Sequence, residues 1–241
     1  MNAGRTARER ARAELTAGIK DAARRQLATV GADGLSLRAV ARELGMVSSA
    51  LYRYFPSRDE LLTALIVDAY ASLAAAAETA DEPATEPRRR LRTVCAAIRC
   101  WARSHPHEYA LIYGSQVPGY RAPPVTVESA ACIPLVLLGI VRAGWIADQT
   151  GPADPTAPAD RSMSPVLTGQ LRALAARFAP ELPEPVLASV LMAWTQLFGM
   201  VSFELSGHLV GSVDPSGDFF GYAVERMADL IGLPPSGTGS R

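Results

Sequence analysis

Apolar residues recur at spacings of three and four along most of the 241-residue chain, which is the period of a helix buried on one face. In the first predicted helix, residues 7–30, this stripe consists of Ile19, Ala22, Ala23, Leu27 and Val30. Runs of Val, Ile and Thr that favour strands are scarce, and alanine dominates the apolar set. The pattern therefore predicts an all-α protein.

Glycine, proline and capping residues divide this pattern into separate helices. Glycines in residues 31–34 end the first helix, Ser36 is a suitable N-cap for the second, and Gly45 separates the second from the third. Ser57 and Glu60 have the spacing of a capping box that starts a long fourth helix. The helices predicted after the first span about residues 36–44, 46–55, 57–79, 88–104, 109–113, 125–147, 165–178, 184–210 and 219–230.

Three features interrupt or end the helical pattern in the second half of the chain. Pro134 predicts a kink in the apolar helix 125–147, because proline lacks the amide hydrogen that a helix interior requires. Residues 149–164 are rich in proline and charge and predict a surface loop, and residues 234–241 predict a disordered tail. We expect two domains, residues 1–60 and residues 61–241.

Charge is unevenly distributed although the formal net charge is zero. Residues 1–60 contain eleven Lys or Arg and seven Asp or Glu, whereas the rest contains thirteen and seventeen. A basic head on an acidic body fits nucleic-acid binding, although an excess of four charges alone is weak support.

We expect neither export nor membrane insertion for this chain. Arginines near the N-terminus are not followed by an apolar segment, so we expect no signal peptide and a cytoplasmic location. The apolar run at residues 130–141 is too short to span a bilayer and predicts a buried core helix. Cys95, Cys100 and Cys132 form no CxxC pair and predict buried thiols.

Residues 36–55 have the pattern of a helix-turn-helix: two short helices joined by a turn that contains Gly45. Ala41 is small enough for the helices to approach, and Val40 and Leu51 would fill the space between them. A simple helical hairpin would share this pattern, but the basic head favours DNA binding, in which the second helix enters the major groove.

Small and polar residues begin the predicted reading helix, and tyrosine and arginine follow them. Ser48, Ser49 and Ala50 would let the backbone approach base edges. Tyr52, Arg53 and Tyr54 would contact phosphates, which set the register without reading sequence. The full set of predicted DNA contacts is Ser36, Arg38, Ser48, Ser49, Ala50, Tyr52, Arg53, Tyr54 and Arg58.

Residues 31–66, "GADGLSLRAVARELGMVSSALYRYFPSRDELLTALI", closely resemble the N-terminal domain of TetR-type transcriptional regulators. The shared features are the Gly-x-x-Gly break, the turn at Gly45, the Leu-Tyr-x-x-Phe run and the Ser-Arg-x-x-Leu-Leu continuation. Tyr54 stands where the family often has histidine. The resemblance implies a three-helix DNA-binding domain followed by a helical domain that binds an effector and dimerises.

The same resemblance implies function. A small molecule in the C-terminal domain would change the spacing of two reading heads in a homodimer and release a double-stranded DNA operator. Residues 105–120 and 193–209 are similar to a C-terminal domain named for a Trp-His-Gly motif, with Trp194 and Gly199 in place but Phe198 at the histidine position. The last two long helices would form the dimer interface.

Aromatic side chains between residues 101 and 203 suggest an apolar pocket, although each could instead fill the core. Glu204 lies in an otherwise apolar helix and could face a cationic ligand, be solvated, or pair with an arginine. The predicted ligand-binding residues are Trp101, Tyr109, Tyr113, Trp145, Trp194, Phe198, Phe203 and Glu204.

Enzyme chemistry and metal binding have little support in the sequence. His105 and His107 are two apart across a proline, which does not match a helical zinc pair. Ser206 and His208 lack a nucleophile elbow, and no glycine-rich phosphate loop is present. We therefore predict a ligand-responsive regulator without catalytic activity, metal or cofactor, most simply a repressor. A helical protein-interaction module remains the alternative, and activation is not excluded.

Overall fold

The computed structural model describes residues 3–148 and 163–235, and within them the chain forms helices and no strand. The all-α prediction is confirmed. The helices are α1 (Ala3–Val30), α2 (Leu37–Glu43), α3 (Ser48–Leu51), α4 (Arg58–Ala80), α5 (Pro87–Ser104), α6 (Pro106–Tyr113), α7 (Pro124–Ala130), α8 (Cys132–Asp148), α9 (Pro165–Phe178), α10 (Glu184–Leu205) and α11 (Gly217–Ile231).

The chain divides into two compact units, and the division does not follow the order of the sequence. The first unit, the head unit, contains Met1–Ser72 and His105–Ala130, and the second contains Leu73–Ser104 and Ala131–Arg241. The predicted boundary after residue 60 lies in the first turn of α4, whereas the contacts divide the chain within α4, after Ser72. α6 and α7 therefore belong with the N-terminal helices.

The core of the head unit is formed by the apolar stripes of α1 to α4. Ile19, Ala22, Val40, Leu51 and Leu61 are fully buried, because the small alanines allow close approach and the larger side chains fill the remaining space. Full burial of each large side chain stabilises the fold by roughly 1.5–3 kcal/mol.

Ion pairs also join α1 to α4 in the head unit. Lys20 Nζ and Arg24 Nη2 each lie 2.8 Å from one carboxylate oxygen of Asp68. Both cations are only partly exposed, so the pair is less screened by solvent than a typical surface salt bridge. Asp68 thus fixes the register of α1 against α4.

In the second unit, two arginines at the start of α5 bind carboxylates outside this helix. Arg88 binds Glu225, Asp229 and the Leu233 carbonyl at the end of α11, at 2.6–3.2 Å. Arg90 makes a two-point contact with Asp81 at 2.7 and 2.9 Å. Such paired hydrogen bonds to carboxylates are geometrically specific, so they fix where α5 begins.

The apolar stretch predicted as one kinked helix, residues 125–147, is two helices. α7 ends at Ala130 and α8 begins at Cys132, so the break lies before Pro134. The ring of a proline conflicts with the carbonyl four residues earlier, here that of Ala130, so the helix is interrupted upstream of the proline rather than at it. The predicted burial of residues 130–141 is confirmed for Ile133, which is fully buried.

The helix predicted for residues 184–210 is shorter than expected. α10 ends at Leu205, and Gly207 and Gly211 beyond it have φ of +73° and +80°. Residues with side chains rarely adopt this left-handed conformation, so these glycines interrupt the helical pattern beyond Leu205.

By length and composition alone, three stretches could cross a membrane: Arg58–Ala80, Pro124–Trp145 and Glu184–Leu205. The second is interrupted at Ala131, which is not helical. Leu61 in the first and Val201 in the third are fully buried in the protein, so the apolar character of these helices is used at least partly in the two cores. The predicted loop 149–164 and tail 234–241 lie almost wholly outside the described residues.

Candidate nucleic-acid interface and ligand cavities

The turn of the helix-turn-helix has the geometry that its glycine predicts. Gly45 has φ +65° and follows the last residues of α2. The Met46 amide donates to the Ala41 carbonyl at 2.8 Å, and the Gly45 amide donates to the Arg42 carbonyl at 3.2 Å. This pair of hydrogen bonds is a Schellman motif, which ends a helix sharply and redirects the chain.

The reading helix α3 is a single helical turn extended by tighter turns through Tyr54. Leu51, its last residue, is fully buried, as is Val40 of α2, and the sequence predicted both to lie between the two helices. The Tyr54 and Phe55 amides both donate to the Leu51 carbonyl, at 2.8 and 3.1 Å. The buried leucine therefore anchors α3 and leaves its opposite side accessible.

The accessible side of α3 carries most of the predicted DNA contacts. Ser49, Tyr52 and Arg53 are exposed, and Ser48 and Ala50 are half-buried. Arg38 on α2 is also exposed, and neither Arg38 nor Arg53 has an ion-pair partner among residues 3–148 and 163–235. Two cations without a protein counter-charge beside a short exposed helix are suited to phosphate binding.

Tyr54 and Arg58 have contacts within the protein that the sequence did not reveal. The Arg12 guanidinium lies 5.3 Å from the centre of the Tyr54 ring, a cation–π contact between α1 and the reading turn. Arg58 donates to the carbonyls of Ala32, Asp33 and Leu35 at 2.8–3.3 Å. Its guanidinium thus fixes the turn between α1 and α2, and its predicted phosphate contact remains a prediction.

Two predicted capping serines differ in the structure. Ser57 Oγ accepts from the Glu60 amide at 3.1 Å, which is one half of the predicted capping box at the start of α4. Ser36 occupies the N-cap position of α2 with an extended backbone, but its side chain makes no capping bond. The half-buried Ser36 hydroxyl is therefore not committed to the helix end, which leaves its predicted role at the DNA face open.

The predicted ligand-binding residues are divided between the two units. In the head unit the ring centres of Tyr109 and Tyr113 are 5.3 Å apart with the rings tilted by 39°, and Tyr70 meets Tyr113 edge-on at 6.1 Å. Trp194 and Phe198 meet at 6.3 Å in the second unit. These contacts are the core-filling alternative that the sequence left open.

The remaining predicted ligand residues have separate environments. Trp101 is buried, Trp145 is half-buried, and Phe203 is 56% exposed beside His208. Trp194 Nε1 is buried and has no hydrogen-bond partner within the part of the chain that the structure describes. An unpaired buried donor costs free energy, so the Trp194 indole offers a donor to a ligand acceptor.

Glu204 pairs with an arginine, one of the three alternatives that its sequence context allowed. Arg99 of α5 donates to both Glu204 oxygens, at 2.6 and 2.8 Å, and also to Ser216 Oγ. The hydrogen bonds from Arg99 hold the pKa of the Glu204 carboxyl below its usual value. Because Arg99 already neutralises Glu204, this carboxylate is a poor partner for a cationic ligand.

The second unit contains an apolar cavity that the aromatic count did not locate. It measures about 210 Å³ and lies between α8, α9 and α10. None of the eight predicted ligand residues lines it; the lining residues are Ala131, Pro134, Leu135, Leu138, Leu174, Phe178, Leu187, Val190 and Leu191. Aliphatic periodicity is common to all core helices, so no sequence signal distinguishes these residues from ordinary core.

The described residues contain no group of three or more His, Cys, Asp or Glu that could hold a metal ion. Pro106 occupies the first position of α6 and His105 precedes it as the N-cap, the arrangement expected for the His-Pro pair. Of the three cysteines predicted to be buried, Cys95 is buried, whereas Cys132 is half-buried and Cys100 is exposed. Burial raises the pKa of the Cys95 thiol to about 12, which makes it unreactive at neutral pH.

Two family models match the chain. The model "Bacterial regulatory proteins, tetR family" matches residues 19–65, and "Tetracyclin repressor-like, C-terminal domain" matches residues 91–227. The HTH-type transcriptional regulator Rv1816 of Mycobacterium tuberculosis is 38% identical over 203 residues, which is 83% of this chain and 84% of that protein. The Mycobacterium bovis regulator Mb1846 matches equally well.

Solved structures show the same fold. The crystal structure of the protein SCO4313 has a TM-score of 0.75 and 34% identity, and the match covers 92% of this chain and 98% of that one. A Rhodococcus sp. RHA1 protein of unknown function has a TM-score of 0.62 and 26% identity, with coverage of 90% and 93%. PfmR of Thermus thermophilus, at 18% identity and TM-score 0.54, shares the fold over 91% of this chain and 99% of its own.

Replacing Tyr52 with alanine should weaken binding to all duplex DNA by about fivefold, the effect of one lost hydrogen bond, without changing which sequence is preferred. Fluorescence anisotropy with a selected site and an unrelated duplex measures both quantities. Tyr52→Phe, which removes only the hydroxyl, should reproduce the loss. A changed site preference would show that Tyr52 reads bases.

Replacing Glu204 with glutamine should lower the free energy of unfolding by roughly 1–3 kcal/mol at pH 7, because a charged hydrogen-bonded pair is lost. The folded-state pKa of Glu204 is depressed, so its contribution is present above the unfolded-state pKa and disappears as pH falls through the folded-state pKa. Urea unfolding is measured between about pH 3 and pH 7, the range in which carboxyl groups titrate. The free energies of unfolding of wild type and Glu204→Gln should converge as the pH falls.

The matched control for this experiment is Glu128→Gln, which changes an exposed glutamate with no ion pair among the described residues. Its free energy of unfolding should change by less than about 0.5 kcal/mol. If the free energies of unfolding of wild type and Glu204→Gln differ by the same amount at every pH, the assigned ion pair is contradicted.

Proposed function

This chain belongs to the TetR family of bacterial transcriptional regulators, and we propose that it is a homodimeric repressor released from a near-palindromic operator by a small, largely apolar molecule. As in the family, a helix-turn-helix binds DNA and a C-terminal domain binds the ligand. We propose four properties for this chain beyond its family membership: it represses transcription, its operator is near-palindromic, its effector is apolar and it acts in the cytoplasm.

The observation that carries DNA binding is the exposed face of α3. Leu51 anchors this helix while Ser49, Tyr52 and Arg53 stay accessible, and Arg38 and Arg53 lack protein counter-charges in the described ranges. Cations of this kind release counterions when they meet phosphates, which makes binding strong and salt-dependent. Serine hydroxyls beside them can reach base edges.

The cavity in the second unit supports an apolar effector. All of its lining residues are apolar, so a charged or strongly polar molecule would lose hydration there without compensation. At about 210 Å³ it is small, and we propose that it holds one aliphatic or single-ring compound. Trp194 Nε1 remains a candidate donor for an effector acceptor in this unit.

Exposed apolar residues on the last two helices support the homodimer. On α10, Met192, Gly199 and Phe203 are spaced seven and four residues apart on one exposed face. On α11, Phe219 and Tyr222 are 39% and 67% exposed. A second copy of the chain would remove these side chains from water, which is favourable in proportion to the apolar area covered.

A selection of genomic DNA tests the proposed function directly. Purified protein is incubated with fragmented DNA from its source genome, and the retained fragments are sequenced at low and at physiological salt. We expect an enriched near-palindromic site. If folded protein retains no sequence preferentially even at low salt, a helical protein-interaction module becomes the better description.

Gly199 offers a specific test of the dimer. A Cβ built at Gly199 meets nothing within 4 Å, so a leucine fits the isolated protomer and should raise helix propensity. We expect Gly199→Leu to remain folded but to shift sedimentation equilibrium toward monomer by about tenfold or more, because the added side chain intrudes on the partner.

The control for this dimer test is Gly169→Leu in α9, where a Cβ also meets nothing within 4 Å. This variant should remain folded and leave the association constant unchanged within about twofold. Unaltered dimerisation of Gly199→Leu would exclude this face of α10 as the interface.

A further inference from the structure

An exposed valine stands at the entrance to the reading helix. Val47 lies between the turn at Gly45 and Ser48, the first residue of α3, and it is 70% exposed. Single exposed apolar residues are common on protein surfaces, so exposure alone assigns no role. The position of Val47 distinguishes it, because the residues that follow it form the accessible face of α3.

Val47 occupies a position at which valine is among the least favourable residues. It is the N-cap of α3, with an extended backbone at φ −69° and ψ 137°, and its side chain makes no capping hydrogen bond. Serine, threonine, aspartate and asparagine stabilise an N-cap, because a side-chain oxygen accepts from an amide of the first turn, and valine has no such oxygen. The four-residue helix α3 therefore begins without a side-chain cap.

Two other helices of this chain begin with a serine that does cap. Ser57 Oγ accepts from the Glu60 amide at 3.1 Å before α4, and Ser164 Oγ accepts from the Leu167 amide at 3.2 Å before α9. A serine at position 47 would supply the same bond to α3 and would expose less apolar surface to water. Valine thus breaks two local rules at one position, and such breaks concentrate at residues that serve function.

The backbone of Val47 is held on both sides. Before it, the Met46 amide donates to the Ala41 carbonyl at 2.8 Å. After it, the Ala50 amide donates to the Val47 carbonyl at 3.0 Å. The branched side chain of valine is also restricted at its single rotatable bond. A contact with a partner would therefore order little that is not already ordered, which keeps its entropic cost low.

Polar side chains near Val47 suit the DNA backbone, whereas Val47 does not. Arg38 and Arg53 are exposed cations, for which phosphates are the counter-charges on DNA. A valine cannot bond a phosphate, and placing it there would remove water from the charge without replacing it. When a helix-turn-helix docks, the start of its second helix faces the base edges of the major groove. An apolar residue at that place therefore meets bases.

The 5-methyl group of thymine is the apolar group by which a base is distinguished in the major groove. Adenine, guanine and the amino group of cytosine present hydrogen-bond donors and acceptors there. Covering a donor or acceptor with a valine costs free energy, whereas covering a methyl group removes apolar surface from water on both sides. Among the four bases, thymine matches the chemistry of Val47.

We propose that Val47 determines sequence specificity by packing its isopropyl group against the 5-methyl group of one thymine in each half-site of the operator. A serine at this position would cap α3 better but would lose the contact. The inference rests on the proposed function, because it requires sequence-specific DNA binding. It adds a base-reading residue that the sequence did not place among the DNA contacts.

Deoxyuridine substitution tests the contact, because uracil differs from thymine only by the missing 5-methyl group. In the site obtained by genomic selection, thymines are replaced one symmetric pair at a time, and binding of the wild-type protein is measured by fluorescence anisotropy. We expect at least one symmetric replacement to weaken binding by about tenfold, the effect of two buried methyl groups.

Variants at position 47 identify the residue that contacts the methyl group. Val47→Ala should bind the thymine and uracil forms of that pair equally within about twofold, because the side chain that covers the methyl is gone. Val125→Ala, which truncates an exposed valine on α7 of the head unit, should retain the full preference for thymine. A wild-type preference that persists in Val47→Ala at every pair overturns the inference.

Val47→Ser separates specificity from stability. Its hydroxyl can accept from an amide in the first turn of α3, so the melting temperature should rise by about 2–4 °C while the preference for thymine disappears. A melting temperature below that of wild type would show that Val47 serves the fold, and the inference would be wrong.

The proposed function and this inference can fail separately. If folded wild-type protein binds no duplex preferentially, the proposed function is refuted and the role of Val47 with it. If wild type binds a selected site that contains no thymine, or binds every uracil form as tightly as the thymine form, only the role of Val47 is refuted.

Discussion

A helix of four residues cannot hold its own shape in water, because forming the first turn fixes several residues for very few hydrogen bonds. α3 is such a helix, and its existence depends on the burial of Leu51 and Val40 and on the sharp turn at Gly45. The exposed face of α3 is therefore held in position by the burial of one leucine on the opposite side of the helix. Everything proposed about DNA recognition requires that this leucine remain in place, and the Arg58 contacts fix the turn from which α2 begins.

The helices and the helix-turn-helix could be predicted from sequence, because both depend on interactions between residues close in the chain. Periodicity located the core stripe of α1 from Ile19 to Leu27, but Val30, which was predicted to continue it, is 55% exposed. Gly45 and Ser57 marked helix ends for reasons that act within one turn. The interruption predicted as a kink at Pro134 is a break at Ala131, and α10 ends at Leu205, before the predicted end at about residue 210. There, the steric effect of Pro134 acts upstream of the proline itself, and Gly207 ends a helix that apolar periodicity alone would continue.

Side-chain partners far apart in the chain could not be predicted. Glu204 meets an arginine 105 positions away, and Arg58 meets carbonyls of a turn more than twenty residues earlier. Aromatic content identified Tyr109, Trp194 and their neighbours, but these residues lie in two different units, and the apolar cavity is lined almost entirely by ordinary aliphatic residues. A cavity is a volume left between helices, and its position depends on packing that no single residue encodes.

The division into units determines which residues must be moved together when the DNA-binding head is transferred to another protein. Helices α6 and α7 lie in the region matched by the C-terminal family model, yet they form one compact unit with α1 to α3 and the first part of α4. A chimera made by fusing residues 1–72 to the sensor of another regulator would discard residues 105–130, and with them Tyr120, whose Oη lies 2.8 Å from Thr63 Oγ1. The grafted head would bring uncovered faces of α1 and α4 with it, so a functional exchange of reading heads has to carry residues 105–130 along.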